Sequence, residues 1–397
     1  MEQPLTKVRV LDLARMLAGD YASMLLGDMG AEVIKIETPG VGDPLRTMPP
    51  HFIKGESAYF LSINRNKKSL TLNLTKPEGQ KIFYQLVKKS DIVFDNFRPG
   101  ILEKLGVDYE TLKKHNPKII SCSISSYGAT GPYKNMPGFD LVIQALSGVM
   151  SYTGETGGAP VRMGIPMGDL AGSMFAAYSI SSALYAREKT GQGRKIEMSL
   201  LDCLVALHTY VAQYYFTSND IPQLVGSGHM SVVPYRAYKT KDIYITIAVF
   251  VEKFWGKLCE VIGRPELGND PRFNSVAERL KNRNQVDKLL EDCFLTKTSD
   301  EWIKLLYQAG VPAAPVNTID RVFKNEQVLA REMLIDIDHP KGGKIKNIGN
   351  PVKQPEVKDQ PFNPSPLLGQ HTEEVLTNIL DYSKDDIDKL RNEKIIS

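Results

Sequence analysis

Strand-like and helix-like segments alternate over the first 125 residues, and this alternation constrains the fold more than any single motif. Residues 7–13 (Lys-Val-Arg-Val-Leu-Asp-Leu) read as a strand, 18–29 as a helix and 32–36 as a second strand. Two strands joined by a helix form a parallel pair, because parallel neighbours need a crossover connection. The pattern repeats with strand 69–74, helix 77–88, strand 91–95, helices near 101–115 and strand 118–124. It predicts an α/β fold with a doubly wound, Rossmann-like, mostly parallel sheet. At the start of helix 77–88, Thr75 and Glu78 have capping-box spacing and Pro77 falls in the first turn.

At ~150 residues per domain, 397 residues make two domains or slightly more. Helical patterns dominate from about 139 to 217, interrupted by a Gly- and Pro-rich loop, 154–168, of the length that tends to carry function. From 226 the style changes to a strand at 242–248 and short helices at 251–262, 284–294 and 299–308. The reading is a large domain from 1–217, a smaller α+β domain from 226–320, and a tail, 330–397, that returns to the large domain. The tail has a strand-like piece at 333–337, a hairpin signal at Lys341-Gly-Gly-Lys344, a Pro-rich stretch from 351 to 366 and a final helix.

Apolar residues make up 42% and charged residues 24%, which excludes disorder, collagen and coiled coil. A net charge of +3 is too small for a dedicated nucleic-acid or membrane surface, so any polyanion site must be local. The least charged long stretch, Leu170 to Ala186, falls short of a membrane span, and the first residues lack the pattern of a secretory signal. A cytoplasmic location is the expectation. Cys122, Cys203, Cys259 and Cys293 are far apart, which favours buried thiols over a disulfide or a metal site.

A doubly wound sheet binds ligands beyond the carboxyl ends of its strands. The first strand-to-helix turn, Asp12 to Asp20, has one glycine where a dinucleotide fingerprint has three, and neither a P-loop nor a GxSxG elbow occurs. Two basic clusters lie at strand edges: Asn64-Arg-Asn-Lys-Lys68, and Asn96-Phe-Arg-Pro-Gly100 with Lys104 a turn later. Together they are candidates for holding a phosphorylated ligand, against the simpler reading of a solvated basic face. Asp169 follows the long loop and precedes an apolar helix. It reads either as an N-cap or as an exposed carboxylate that attacks an acyl carbon, with Gly168 and Gly172 leaving room for the acyl group. His229, in a Gly-rich loop, is either a turn residue or a substrate contact.

Seven segments together resemble the class III CoA-transferases, the family that includes formyl-CoA transferase, carnitine CoA-transferase and α-methylacyl-CoA racemase. They are Leu11-Asp-Leu-Ala-Arg-Met-Leu-Ala-Gly19, Gly30-Ala-Glu-Val-Ile-Lys-Ile-Glu37, Asn64 to Leu74, Asn96 to Gly100, Ser126-Tyr-Gly-Ala-Thr-Gly-Pro-Tyr133, Gly168-Asp169 and Leu367-Leu-Gly-Gln-His-Thr372. The resemblance implies that Asp169 is the nucleophile, forming an aspartyl anhydride and then an aspartyl-CoA thioester. It implies a CoA site at Leu17, Ala18, Leu72, Asn73, Leu74, Thr75, Asn96, Phe97, Arg98 and Lys104, with Asp140 a neighbour of the reacting centre. Acyl-CoA and a small carboxylic acid are then the substrates, with no tightly bound cofactor, and two subunits form an interlocked homodimer. The backbone N–H groups after Asp169 are candidate oxyanion donors.

Departures from the family pattern narrow this reading. The racemases have His where Phe139 stands, and phenylalanine moves no proton, so transfer is preferred over epimerisation. Leu17 replaces the Gln of the formyl and oxalate enzymes, and Gly226-Ser-Gly-His229 lacks their four-glycine loop. A CoA-binding protein without turnover and an ordinary nucleotide-binding dehydrogenase are the readings from other classes.

Overall fold

The computed structural model describes residues 1–357 and 361–397. Its central sheet has six strands, all parallel: β1 (Arg9–Asp12), β2 (Glu32–Glu37), β3 (Lys67–Thr71), β4 (Ile92–Asp95), β5 (Ile120–Ser125) and β6 (Arg194–Ser199). They lie in the order β3-β2-β1-β4-β5-β6, so the winding reverses between β1 and β4. That reversal opens the crevice where doubly wound sheets take their ligands. Helices connect the strands: α1 (Met16–Asp28), α2 (Ala58–Ile63), α3 (Pro77–Lys88), α4 (Ile101–Leu105), α5 (Tyr109–His115), α6 (Asp140–Leu146), α7 (Met167–Thr190) and α8 (Leu200–Ala206).

Five strands fall where the alternation places them, within a few residues. The sixth, β6, corrects the expectation that helical patterns alone follow the 154–168 loop as far as 217. Its Arg-Lys-Ile-Glu-Met-Ser sequence lacks an apolar run because it is an edge strand, with Arg194, Lys195 and Glu197 exposed. The expected capping box of α3 is also absent. Lys76 is the N-cap residue, and the Thr75 amide and hydroxyl donate to Asn73 Oδ1 at 3.1 and 2.6 Å in a turn that precedes the helix.

Alternation along β1 to β3 gives the sheet two unlike faces. Leu11, Leu13, Ile34, Ile36, Leu70 and Leu72 join a core with Ile82, Phe83 and Leu86 of α3 and with Val375, Leu376, Ile387 and Leu390 from the C-terminal helices. On the opposite face Asp12, Lys35 and Lys67 are buried with Asp20 of α1. Lys35 Nζ reaches Asp20 Oδ1 at 2.5 Å, Asp43 Oδ2 at 2.9 Å and the Ala14 carbonyl at 2.8 Å. Lys67 Nζ lies 3.3 Å from Asp12 Oδ2 and donates to Asn64 Oδ1 at 2.9 Å. Burial works to discharge the Lys35 ammonium, but Asp20, Asp43, Asp12 and Glu37 outweigh it and hold its pKa above the ordinary lysine value.

This layer overturns the reading of Asn64 to Lys68 as half of a phosphate site. Arg65 is buried against Asp28, bonding both carboxylate oxygens at 2.9 and 2.5 Å, and Lys67 is sealed under α1. Lys68 pairs with Glu32 and Glu374 at 2.8 Å each. The cluster also begins β3, whereas Asn96 to Gly100 follows the end of β4, so in a parallel sheet the two start from opposite edges.

The free edge of β3 is covered by the tail. Gly369 donates to Ser69 Oγ at 2.8 Å, His371 to the Ser69 carbonyl at 3.0 Å, and Asn73 to the Ile395 carbonyl at 2.8 Å. Gly369 has φ of +70°, and a Cβ there would meet Thr71 Cγ2 at 3.2 Å, which accounts for the glycine in Leu367 to Thr372. The hairpin signal at Lys341 to Lys344 joins strands Leu334–His339 and Gly343–Ile348.

The chain divides into two compact units. The first comprises residues 1–148, 163–210 and 329–397 and contains the six-stranded sheet. The second comprises 149–162 and 211–328. In it strand Tyr244–Ala248, expected from the sequence, pairs antiparallel with Tyr235–Lys239 and Ala313–Pro315, which were not expected. Helices Glu252–Val261, Arg283–Phe294 and Ser299–Ala309 close a core around Trp255, Phe294 and Trp302. Among the described residues no helix is long and apolar enough to cross a membrane.

Replacing Lys35 by Met leaves Asp43 buried without its cation and Asp20 with only Lys67, 3.6 Å away. Lys35→Met is expected to lower unfolding free energy by ~3–5 kcal/mol in urea titrations, the cost of breaking a buried pair from one side.

Candidate active site

Helix α7 begins where the chain leaves the long loop. Its N-cap residue is Pro166, whose ring cannot cap, so Asp169 stands inside the first turn and is not the N-cap. The capping acceptor comes from another helix: Asp140 Oδ1 accepts from the Gly168 amide at 2.8 Å and from the Asp169 amide at 3.4 Å. Asp140 Oδ2 accepts from Gln144 Nε2 at 2.7 Å.

The Asp169 carboxyl has no hydrogen-bond donor among the described residues. Burial pushes its pKa up to about 7, and the neighbouring Asp140 adds to the rise. Tyr59 of α2 lies within electrostatic reach of both acids, and its phenol is held above the ordinary tyrosine value by burial first and then by Asp169 and Asp140. One turn into α7, Ser173 Oγ donates to the Ala18 carbonyl at 2.7 Å, tying the helix of Asp169 to the β1–α1 turn.

Two expectations about this helix are corrected. The Leu170 amide is bonded to the Pro166 carbonyl at 3.0 Å, and the amides beyond it continue the helix ladder, so the N–H groups after Asp169 are not free to stabilise an oxyanion. The glycines do not leave open space: a Cβ on Gly172 would meet Leu200 Cδ2 at 2.5 Å, and one on Gly168 would meet Asp140 Oδ1 at 3.0 Å. They let α8 and Asp140 close on the helix.

The other candidates line the carboxyl edge of the sheet. Leu17 and Ala18 are buried at the start of α1, after β1. The carboxamide of Asn96, after β4, binds both backbone atoms of Arg15, accepting from its N–H at 2.9 Å and donating to its carbonyl at 2.5 Å. This bridge spans the switch point. Arg15 also lies over the Phe97 ring, 5.3 Å from its centroid. Leu72 and Leu74, after β3, point into the core on which Phe97 packs, leaving Asn73 and Thr75 as the polar groups of that turn. Arg98 and Lys104 are exposed. Phe139 is the exposed residue before α6. In the second unit His229 donates its amide to the Tyr235 carbonyl, and its Nδ1 accepts from the Ser231 amide.

CoA-transferase family III is matched over residues 5–372. The chain is 41% identical to succinyl-CoA:glutarate CoA-transferase of Mus musculus, covering 98% of this chain and 89% of that one. It is 38% identical to succinyl-CoA:mesaconate CoA-transferase of Haloarcula hispanica, covering 94% and 95%. The crystal structure of a CaiB/BaiF family protein from Brucella suis matches with a TM-score of 0.85 and 35% identity, over 96% of this chain and 100% of that one. The chain belongs to CoA-transferase family III.

Sequence reasoning did not single out Gln144 or Tyr59 in this CoA-transferase. Gln144 had a signal in its i,i+4 spacing from Asp140 on a helical pattern. Tyr59 had none, since it reaches the carboxyl pair through tertiary packing.

The perturbed acid of this CoA-transferase makes a stability prediction. Asp169 ionises near 3.8 when unperturbed and at about 7 in the fold, so the folded state holds its proton across that interval. The associated stability is present below the lower value and lost as pH rises through the upper one. Asp169→Asn removes the buried anion. Its stability advantage over the parent is expected to grow from about pH 4 to about pH 7 and level at about 2 kcal/mol, discounted for partial exposure, in urea titrations.

Proposed function

We propose that this enzyme transfers CoA from succinyl-CoA to a dicarboxylic acid, with Asp169 as the nucleophile. The observation that carries the reading is the Asp169 carboxyl itself: unpaired among the described residues, raised to about 7, and bonded through its helix to the β1–α1 turn. The donor is taken from relatives whose names share succinyl-CoA, and the acceptor class from glutarate, mesaconate and D-citramalate in those names.

In the proposed cycle an oxygen of ionised Asp169 attacks the succinyl carbonyl. The C–S bond breaks, giving a mixed anhydride and CoA thiolate. The thiolate attacks the aspartyl carbonyl and displaces succinate, leaving an aspartyl-CoA thioester. The acceptor carboxylate then attacks that carbonyl and releases thiolate again. Attack of the thiolate on the acceptor acyl carbon forms the new thioester and returns Asp169 as a carboxylate. A basic carboxylate suits the opening attack, because nucleophilicity rises with basicity while no general base is needed.

For CoA we propose the carboxyl edge, with Leu17, Ala18, Leu72 to Thr75 and Asn96 to Phe97 forming the walls. Arg98 and Lys104, both exposed, meet phosphate oxygens. Phe139 has no titratable atom to pair with Asp169, which supports transfer over epimerisation. We also infer that the working assembly is a homodimer. Met174, Tyr178 and Tyr185 form an exposed apolar stripe at helical spacing on α7, a surface suited to a second copy.

The reaction is tested by incubating the protein with succinyl-CoA and a panel of mono- and dicarboxylates, with mass detection of new thioesters. New dicarboxyl-CoA is expected. Hydroxylamine added with succinyl-CoA should place a hydroxamate on the Asp169 peptide. Asp169→Ala retaining turnover, or the adduct appearing elsewhere, overturns the assignment. Light scattering should give a dimer mass, and a monomer at assay concentration contradicts the assembly.

A further inference from the structure

The carboxamide of Gln144 is fully buried on α6 and engaged at both ends. Its Oε1 accepts from the Met163 amide at 2.8 Å, so the end facing Asp140 is the NH2 group, which can only donate. Asp140 therefore meets a donor at each oxygen: Gln144 Nε2 at Oδ2, and the Gly168 and Asp169 amides at Oδ1. A carboxylate satisfies all of them. A protonated acid or an asparagine would turn a hydrogen against a donor, an arrangement that costs a buried hydrogen bond.

We propose that Gln144 is a positioning residue that, tied to the Met163 amide, fixes the Asp140 carboxyl against the start of α7 beside Asp169. This rests on the reading of Asp169 as the nucleophile. Burial disfavours the charged form of Asp169, and a second carboxyl held nearby disfavours it further. The Met163 bond adds a mechanical link, joining α6 to the loop that enters α7.

The other titratable groups around α7 do not duplicate this role. Tyr59 of α2 is a neutral phenol, Asp20 of α1 is bound to Lys35, and Glu197 of β6 accepts from the Ala129 amide. On α8, the Asp202 amide donates to Ser199 Oγ, and the Cys203 thiol is pushed up to about 11 by burial and by Asp202.

The test follows the Asp169 carboxyl by 13C NMR in protein labelled at aspartate, the resonance being assigned by its loss in Asp169→Asn. Gln144→Met keeps the side-chain volume and removes both hydrogen bonds. The Asp169 midpoint is expected to fall by about one pH unit in Gln144→Met and further in Asp140→Asn. The double variant should match Asp140→Asn alone, because Gln144 acts through Asp140. Gln144→Glu can still accept from Met163 and cannot lower the midpoint, whether it is ionised or protonated. With succinyl-CoA as donor, the acid limb of the kcat–pH profile should move down with the Asp169 midpoint in Gln144→Met, while KM for the thioester stays within twofold.

An unchanged midpoint in folded Gln144→Met, a fall in Gln144→Glu, or additive shifts in the double variant overturns the proposal. If Gln144→Met does not fold, the Gln144→Glu titration decides. The titration needs no turnover, so loss of the nucleophile reading, shown by an active Asp169→Ala, is separately visible.

Discussion

Two lysines neutralising three carboxylates between the sheet and its first helix are the constraint on which the rest of the fold stands. Lys35 and Lys67 project from neighbouring strands into a layer that holds Asp12, Asp20 and Asp43, all out of contact with water. Charges in such a place are tolerated only when each has a partner and its remaining hydrogen-bonding capacity is met. Here the surplus capacity is spent on the backbone: Lys35 on the Ala14 carbonyl, and Asp12 on the Ala14 amide at 2.9 Å. The β1–α1 turn is thereby held from below, and Asn96 clamps the same turn from the neighbouring strand.

Against that framework Asp169 is the exception. Most of the acids buried in the first unit are matched to a cation or to several donors. Asp169 has neither among the described residues, and it shares its surroundings with another carboxylate. Its carboxyl is raised to about 7, above Asp20 and Asp95, which burial lifts to about 6 although Lys35 and Ser123 bond to them. Ser173 and Asp140 place it without neutralising it, the first by fastening α7 to the turn, the second by accepting the helix amides.

Much of this was legible in the chain. The alternation of Leu11 with Asp12, or Ile34 with Lys35, marks strands regardless of what fills each face, so five strands of the sheet could be read directly. Strand β6 could not, because an edge strand with one row in water has no apolar run to announce it. The cluster from Asn64 to Lys68 misled for a related reason. Lys and Arg look alike in a sequence whether they face solvent or a buried carboxylate, and only the packing of α1 over β3 makes them structural.

The sequence by itself determined the alternation of elements and the family, because each is written in local pattern or in residue identity at fixed spacing. Tertiary structure alone decided that Asp140 caps the helix of Asp169, that the Met163 amide engages Gln144, and that Gly172 serves packing rather than access. These depend on which groups meet across tens of residues. Hydrogen-bond donors and apolar walls act over a few ångströms, so what they do to a carboxyl is settled only once the fold has brought them together.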